Sequence, residues 1–346
     1  MTVATPSKLL LKLSRHLFNE PSTQSAFVDA LINPHPFSAC ILWCEARPDS
    51  IPFQTVSPLE WQPAYIDRLA LEELPGRHPW HTEGKYYCLD FSSVFAASVL
   101  LAIPSEMRQQ IQTVVDVCAS PGGKSLFSWV ALRPPLLMSN EVIGKRLGAL
   151  VSNLRRCGAV GAIALNADSS LLAERIPASA EVVLVDAPCS GQSLLAKGDA
   201  APGCFHPVTI NKNANRQKRI LANAAQVVAP GGYLAYMTCA FSPEENEQVC
   251  DWLLQRFPKF QPVAVPHLAL FQSHLTPRPC YRMFPQDGLG AGAFTALFCH
   301  TASGDCRAIA PEFLQHPKVI SIRSTQSSAS TVPARADWAQ LGCSPA

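Results

Sequence analysis

The chain has 346 residues, 48% of them hydrophobic and 16% charged, with a formal net charge of +2. This composition excludes global disorder and a histone-like polycation, and it supports a sizeable core in one large domain or two ordinary ones. Any nucleic-acid partner must then be held by local basic patches rather than by bulk charge.

In chain order, "SKLLLKLSRHLF" carries leucines at helical spacing, and the basic residues threaded through it are unlike a signal peptide. "CILWC" (Cys40 to Cys44) and "HPWH" have no second ligand pair at finger-like spacing, so no metal site is expected. "HPWHTEGKYYCLD" reads as loop and short strand, and "SVFAASVLLAI" as a small apolar helix. Residues 1–110 are therefore expected to form a mainly helical N-terminal region. From 111 to 300 strands and helices alternate. The strands are "TVVDVC", "LLMSN", "VGAIAL", "VVLVD" and "GYLAYMT". The helices are "GGKSLFSWVAL", "VIGKRLGALVSNLRRCG" with Gly158 as its stop, "DSSLLAERI", "NANRQKRILANAAQVVA" ended by "PGG", and "SPEENEQVCDWLLQRF" with a capping-box-like start. Such a rhythm predicts an α/β fold, a doubly wound and mostly parallel sheet with its ligand beyond the carboxyl ends of the strands. The last 46 residues lose the rhythm, and 301–346, with "STQSSAST", is expected as a flexible tail. Thirteen cysteines at no framework spacing, and no apolar run long enough to span a bilayer, point to free thiols in the cytoplasm. Modest charge and a single core suit a monomer.

The strand ends carry the chemistry. "DVCASPGGKS" lacks the first glycine of a P-loop, since position 118 is Cys; it remains a glycine-rich turn opening a helix, where backbone N–H groups face a ligand. Glu141 follows the second strand, where a carboxylate accepts from two ribose hydroxyls, or else serves the helix dipole. Asp168 follows the third, facing an adenine amino group or capping a helix. Together they favour an adenosine-containing ligand. Cys189 and Cys239 each follow an apolar strand, "VVLVD" and "GYLAYMT". Two thiols at one sheet edge suit covalent chemistry on a pyrimidine: a thiolate adding to carbon 6 of cytosine makes carbon 5 nucleophilic towards a methyl sulfonium. Asp186 is placed to hold ring nitrogen 3, and Lys124 is a cation that would raise the thiolate fraction. Basic, acid-free "HPVTINKNANRQKR" (206–219) suits phosphate contacts.

These motifs resemble, in order over roughly residues 84–299, the Sun/NOP (RsmB/RsmF-like) RNA cytosine-5 methyltransferases, a family that includes bacterial ribosomal-RNA enzymes. "EGKYYCLDFSS", "DVCASPGGKS", "NE", "NAD", "DAPCSG", "RQKRILANAAQVVAPGGYLAYMTCAFSPEENE" and "RMFPQDGLGAGAFTALF" are similar to the family's successive segments. The resemblance implies a Rossmann-like class I methyltransferase domain over 111–300, with a seven-stranded sheet whose terminal strand is antiparallel. It implies an RNA-binding, accessory role for 1–110. It implies S-adenosyl-L-methionine held by Cys118, Ala119, Ser120, Pro121, Gly122, Gly123 and Lys124, with Glu141, Asp168 and Asp186. It also implies Cys239 as the nucleophile and Cys189 as the thiol that assists product release, on structured RNA, ribosomal before transfer. The chain departs from the family with Leu89 for Gln and Gln286 for His, and has no clear "RVNT"-like stretch near 40–56. A DNA cytosine-5 methyltransferase, attacking with Cys189, and a non-catalytic cofactor- and RNA-binding assembly factor are the alternatives.

Overall fold

The computed structural model describes residues 5–322. It begins with a helical hairpin, α1 (Lys8–Leu17) and α2 (Pro21–Ile32). Ser7 caps α1 by accepting from the Leu10 N–H at 3.1 Å, and the leucines at positions 10 and 17 fall on its buried face. Strands β1 (Cys40–Trp43), β2 (Ile66–Arg68) and β3 (Tyr86–Leu89) then form an antiparallel sheet in the order β2-β1-β3. Helix α3 (Pro79–Thr82) precedes β3, and α4 (Phe91–Ser98) and α5 (Ser105–Arg108) follow it. The N-terminal region thus holds a three-stranded sheet as well as the expected helices.

The strand–helix rhythm is realised from residue 113. β4 (Thr113–Asp116), α6 (Gly123–Leu132), β5 (Leu136–Asn140), α7 (Gly144–Arg156), β6 (Ala162–Leu165), α8 (Ser169–Arg175), β7 (Ala180–Asp186), α9 (Pro207–Val227) and β8 (Val228–Thr238) succeed one another. The five strands are mutually parallel in the order β6-β5-β4-β7-β8. Their residues are apolar on both faces because helices cover both, which is what a parallel sheet requires. Helix α10 (Glu247–Arg256), β9 (Phe260–Val263), β10 (Cys280–Met283) and β11 (Ala293–His300) complete the far side. β11 runs antiparallel to β8, as expected of the terminal strand; β10 and β9 share its other edge, one along each half. After α11 (Pro311–Leu314), β12 (Val319–Ser321) pairs antiparallel with β6. The sheet therefore has nine strands rather than seven, β10 and β12 being additions. Residues 301–322, expected within a tail, include this edge strand, and "STQSSAST" lies outside the described residues.

Two local readings change. "PGG" does not stop α9 as a free turn: the register slips between Ala180↔Val228 and Val182↔Tyr233, making a bulge within β8. Gly232 is needed there, since a Cβ would lie 2.9 Å from both the Ala229 and Glu181 carbonyl oxygens. Nor does Ser242 open a capping box. α10 starts at Glu247, and the Ser242 hydroxyl accepts from Gln192 Nε2 at 2.6 Å.

One apolar core crosses residue 110, joining Phe91, Val94 and Phe95 of α4 to Val114, Leu126 and Leu184. A second cluster docks the hairpin against the end of β8, with Phe27 edge-on to Phe241 at 5.1 Å between centroids. Among the described residues no helix is long and apolar enough to cross a membrane.

Candidate active site

β7 ends at Asp186 and β8 at Thr238, so Cys189 lies three residues past one strand and Cys239 one residue past the other. These are neighbouring parallel strands with Asp186 opposite Met237, and both thiols emerge at the same carboxyl edge. Their Sγ atoms lie 2.7 Å apart. The contact divides the pair. The hydrogen bond from Cys189, helped by Ser193 and Lys124, holds Cys239 below the usual thiol pKa against burial and the Asp186 charge. The same bond, with burial, pushes Cys189 well above it. These directions favour the thiolate at Cys239 and the thiol at Cys189.

Lys124, in the first turn of α6, reaches the same place: its Nζ is 2.7 Å from Asp186 Oδ2 and 3.4 Å from Ser93 Oγ. Burial works against its charge, but Asp186, with Cys239 and Asp116, outweighs burial and raises its pKa. Beneath it Asp116 is fully buried. Burial lifts its carboxyl to about 7, although Ser125 Oγ at 2.7 Å and the Cys118 N–H at 3.3 Å both serve it.

A cavity of ≈ 550 Å³ runs along these strand ends, of ordinary size for a small-molecule site. Cys118, Ser120, Lys124, Glu141, Asp168, Asp186, Cys189 and Cys239 all line it. Glu141 is 3% exposed; its Oε1 accepts from the Ile143 N–H at 2.8 Å and its Oε2 pairs with Arg146 at 3.2 Å. Asp168 both lines the cavity and caps α8, its Oδ1 accepting from the Ser170 N–H at 3.0 Å. Ala119, Pro121, Gly122 and Gly123 stand off the cavity. The Ala119 N–H bonds the Asn140 carbonyl at 2.8 Å, and the Pro121 carbonyl accepts from Asn153 Nδ2 of α7 at 2.9 Å. Gly122 has φ +117° and sits over Leu150, while a Cβ on Gly123 would meet the Tyr87 ring at 3.2 Å. These four shape the turn; Cys118, Ser120 and Lys124 face the cavity.

The model of the family "16S rRNA methyltransferase RsmB/F" matches residues 106–299, more than half of the chain. The chain belongs to this family. Among curated relatives, the ribosomal RNA small subunit methyltransferase F of Cronobacter sakazakii is 31% identical over 256 residues, covering 72% of this chain and 52% of that protein. The enzyme of the same name from Pectobacterium carotovorum is 32% identical over 181 residues, 51% of this chain and 36% of that one. The chain thus spans between about a third and about half of the length of these relatives. A methyltransferase homolog from Pyrococcus horikoshii superposes with a TM-score of 0.64 at 22% identity, over 85% of this chain and 99% of that one. NSun6 from the same organism, solved with SFG, gives 0.64 at 16% identity, over 86% and 99%. These two share the fold.

Membership of this methyltransferase family indicates S-adenosylmethionine as the cofactor, and the residues that line the cavity fit it. Acids at the ends of β5 and β6 suit an adenosine, and Cys118, Ser120 and Lys124 of the turn into α6 line the cavity beside them. Among the described residues no group of three or more His, Cys, Asp or Glu could hold a metal ion.

Several RsmB/F site residues escaped the sequence reading. Asn140 clips two strand ends together, donating to the Val117 and Ala167 carbonyls and accepting from the Ala167 N–H. Asp90 pairs with Lys197 at 2.9 Å across the mouth. Gln192 Oε1 accepts from the Phe241 and Ser242 N–H groups, fixing the turn after Cys239. Only their partners give them away, and those lie more than twenty residues distant in the chain.

Proposed function

We propose that the chain transfers a methyl group from S-adenosylmethionine to carbon 5 of a cytosine in RNA, ribosomal RNA first. The observation that carries this reading is the meeting of two sulfurs, 2.7 Å apart, at the edge of the cofactor cavity; the opposite pKa directions of the two thiols support it. When bound, S-adenosylmethionine supplies an electrophilic methyl group.

Cys239 is the nucleophile. Its thiolate forms a bond to carbon 6, and the ring's electron pair moves to carbon 5. Asp186 holds the amino-pyrimidine edge, with Lys124 beside it balancing the charge. Once carbon 5 carries the methyl group, a water molecule takes its proton, the freed electron pair re-forms the carbon 5–carbon 6 double bond, and the Cys239–carbon 6 bond breaks, returning the thiolate. Cys189, in contact with Cys239, assists that release. An RNA substrate is supported by α9, whose Lys212, Arg216 and Arg219 share one exposed face; the last two reach the cavity rim. The target base must leave its stack, at a cost of a few kcal/mol that an unpaired loop reduces.

The test is labelled methyl transfer to total RNA by wild type, Cys239→Ala and Cys189→Ala. Wild type is expected to label RNA, Cys239→Ala to label none, and Cys189→Ala to accumulate protein–RNA species. Loss of RNA attachment in Cys189→Ala with its retention in Cys239→Ala would instead favour attack by Cys189, as in DNA cytosine enzymes. Binding of cofactor and RNA without transfer would leave an assembly factor.

A further inference from the structure

Cys189 sits in a turn that has no regular structure of its own, yet its sulfur is held against Cys239. The restraint comes from two side chains outside the turn. Gln217, in the middle of α9, donates from Nε2 to the Pro188 carbonyl at 3.1 Å and to Glu245 Oε1 at 2.9 Å. The same Glu245 oxygen accepts from the Ser190 N–H at 2.9 Å. The peptide groups on both sides of Cys189 are thus tied to one amide–carboxyl pair. Both Gln217 and Glu245 are 0% exposed. Glu245 also belongs to the other thiol's loop, six residues past Cys239, and its carbonyl accepts from Tyr236 Oη of β8 at 2.6 Å.

A buried carboxylate is a costly way to fasten a turn that an amide could fasten equally well. Burial pushes the Glu245 carboxyl up, against the stabilising N–H of Ser190 and the amide of Gln217. Its second oxygen, Gln217 Oε1 and Ser190 Oγ are buried without hydrogen-bond partners. What the carboxyl adds is charge at the peptide that follows Cys189: Glu245 disfavours the Cys189 thiolate, and Lys124 favours that of Cys239. Asp186 on β7 and Tyr236 on β8 also face the pair, and Glu244 adds to the upward push on Glu245.

We propose that Glu245, with Gln217, is the positioning residue that fixes Cys189 beside Cys239 and so keeps the two thiols in separate roles, Cys239 attacking and Cys189 assisting. The proposal rests on the reading of Cys239 as nucleophile.

The experiment is residue-resolved alkylation of the whole chain by iodoacetamide, without RNA or cofactor, followed by mass spectrometry from pH 6 to 9. In wild type, Cys239 is expected to react about tenfold faster than Cys189 at neutral pH. Glu245→Gln keeps the size and one hydrogen-bonding oxygen but removes the charge; the ratio should fall to about threefold or less, with the Cys189 pH profile moving down. Glu245→Asp should recover part of the preference. Gln217→Met, which frees the Pro188 carbonyl, serves if Glu245→Gln fails to fold, and should likewise narrow the ratio. A wild-type preference for Cys239 left unchanged in the folded variants would overturn this proposal alone. A wild-type preference for Cys189 would overturn it together with the assignment of the nucleophile.

Discussion

At the scale of single residues the site is a set of charges kept where burial opposes them. Asp116 is the clearest case, with its carboxyl lifted to about 7 by burial at the end of β4. An unfolded aspartate releases its proton near 4. Between about pH 4 and 7 the folded state therefore binds more protons than the unfolded state, and stability falls as pH rises through that window. Asp116→Asn removes this dependence. The Tm of the variant relative to wild type is expected to rise between pH 5 and pH 8 by at least about 2 °C. A difference that stays constant with pH would mean that Asp116 ionises normally. Cys239 shows the opposite balance: hydrogen bonds from Cys189 and Ser193, and Lys124 nearby, prevail over burial.

At the scale of elements, the loop after Cys239 depends on a buried ion pair. Arg282 of β10 donates from Nε to Glu247 Oε1 of α10 at 2.6 Å and from Nη1 to the Phe241 carbonyl at 2.9 Å, and Ser273 Oγ reaches the same carboxylate. Removing one partner leaves the other charge buried and alone, at a cost of about 3–5 kcal/mol. Arg282→Met is expected to lower Tm by roughly 10 °C, and Arg282→Met with Glu247→Met to recover more than half of that loss. A single-variant Tm within about 2 °C of wild type would show that the pair does not brace the loop. The elements visible in the sequence were those with a local signature: five apolar strands each followed by an amphipathic helix. β1, β2, β10 and β12 are three or four residues long and exist through pairing with distant strands, as Val319 does with Leu165. The thiol pair was legible because each cysteine lies within three residues of a strand end; Gln217 and Glu245 were not, because an amphipathic helix pattern does not say that a buried position is polar.

At the scale of the molecule, the basic face of α9 and the cavity open on the same side. Arg216 and Arg219 are exposed and line the rim. Replacing both with Ala is expected to weaken RNA binding evenly across sequences and to reduce the slope of log affinity against log salt by about 1.5, with Tm unchanged. An unchanged slope would place the RNA elsewhere. The N-terminal hairpin belongs to the same assembly, since Phe27 packs on Phe241, two residues past Cys239. The central claim remains the bond between one sulfur and one ring carbon. Its most direct test is to digest the protein–RNA species formed by Cys189→Ala with S-adenosylmethionine and to sequence the nucleotide-bearing peptide by mass spectrometry. A methylated cytidine attached to Cys239 is the expected result; a nucleotide on any other residue, or no attached nucleotide while methyl transfer continues, would contradict it.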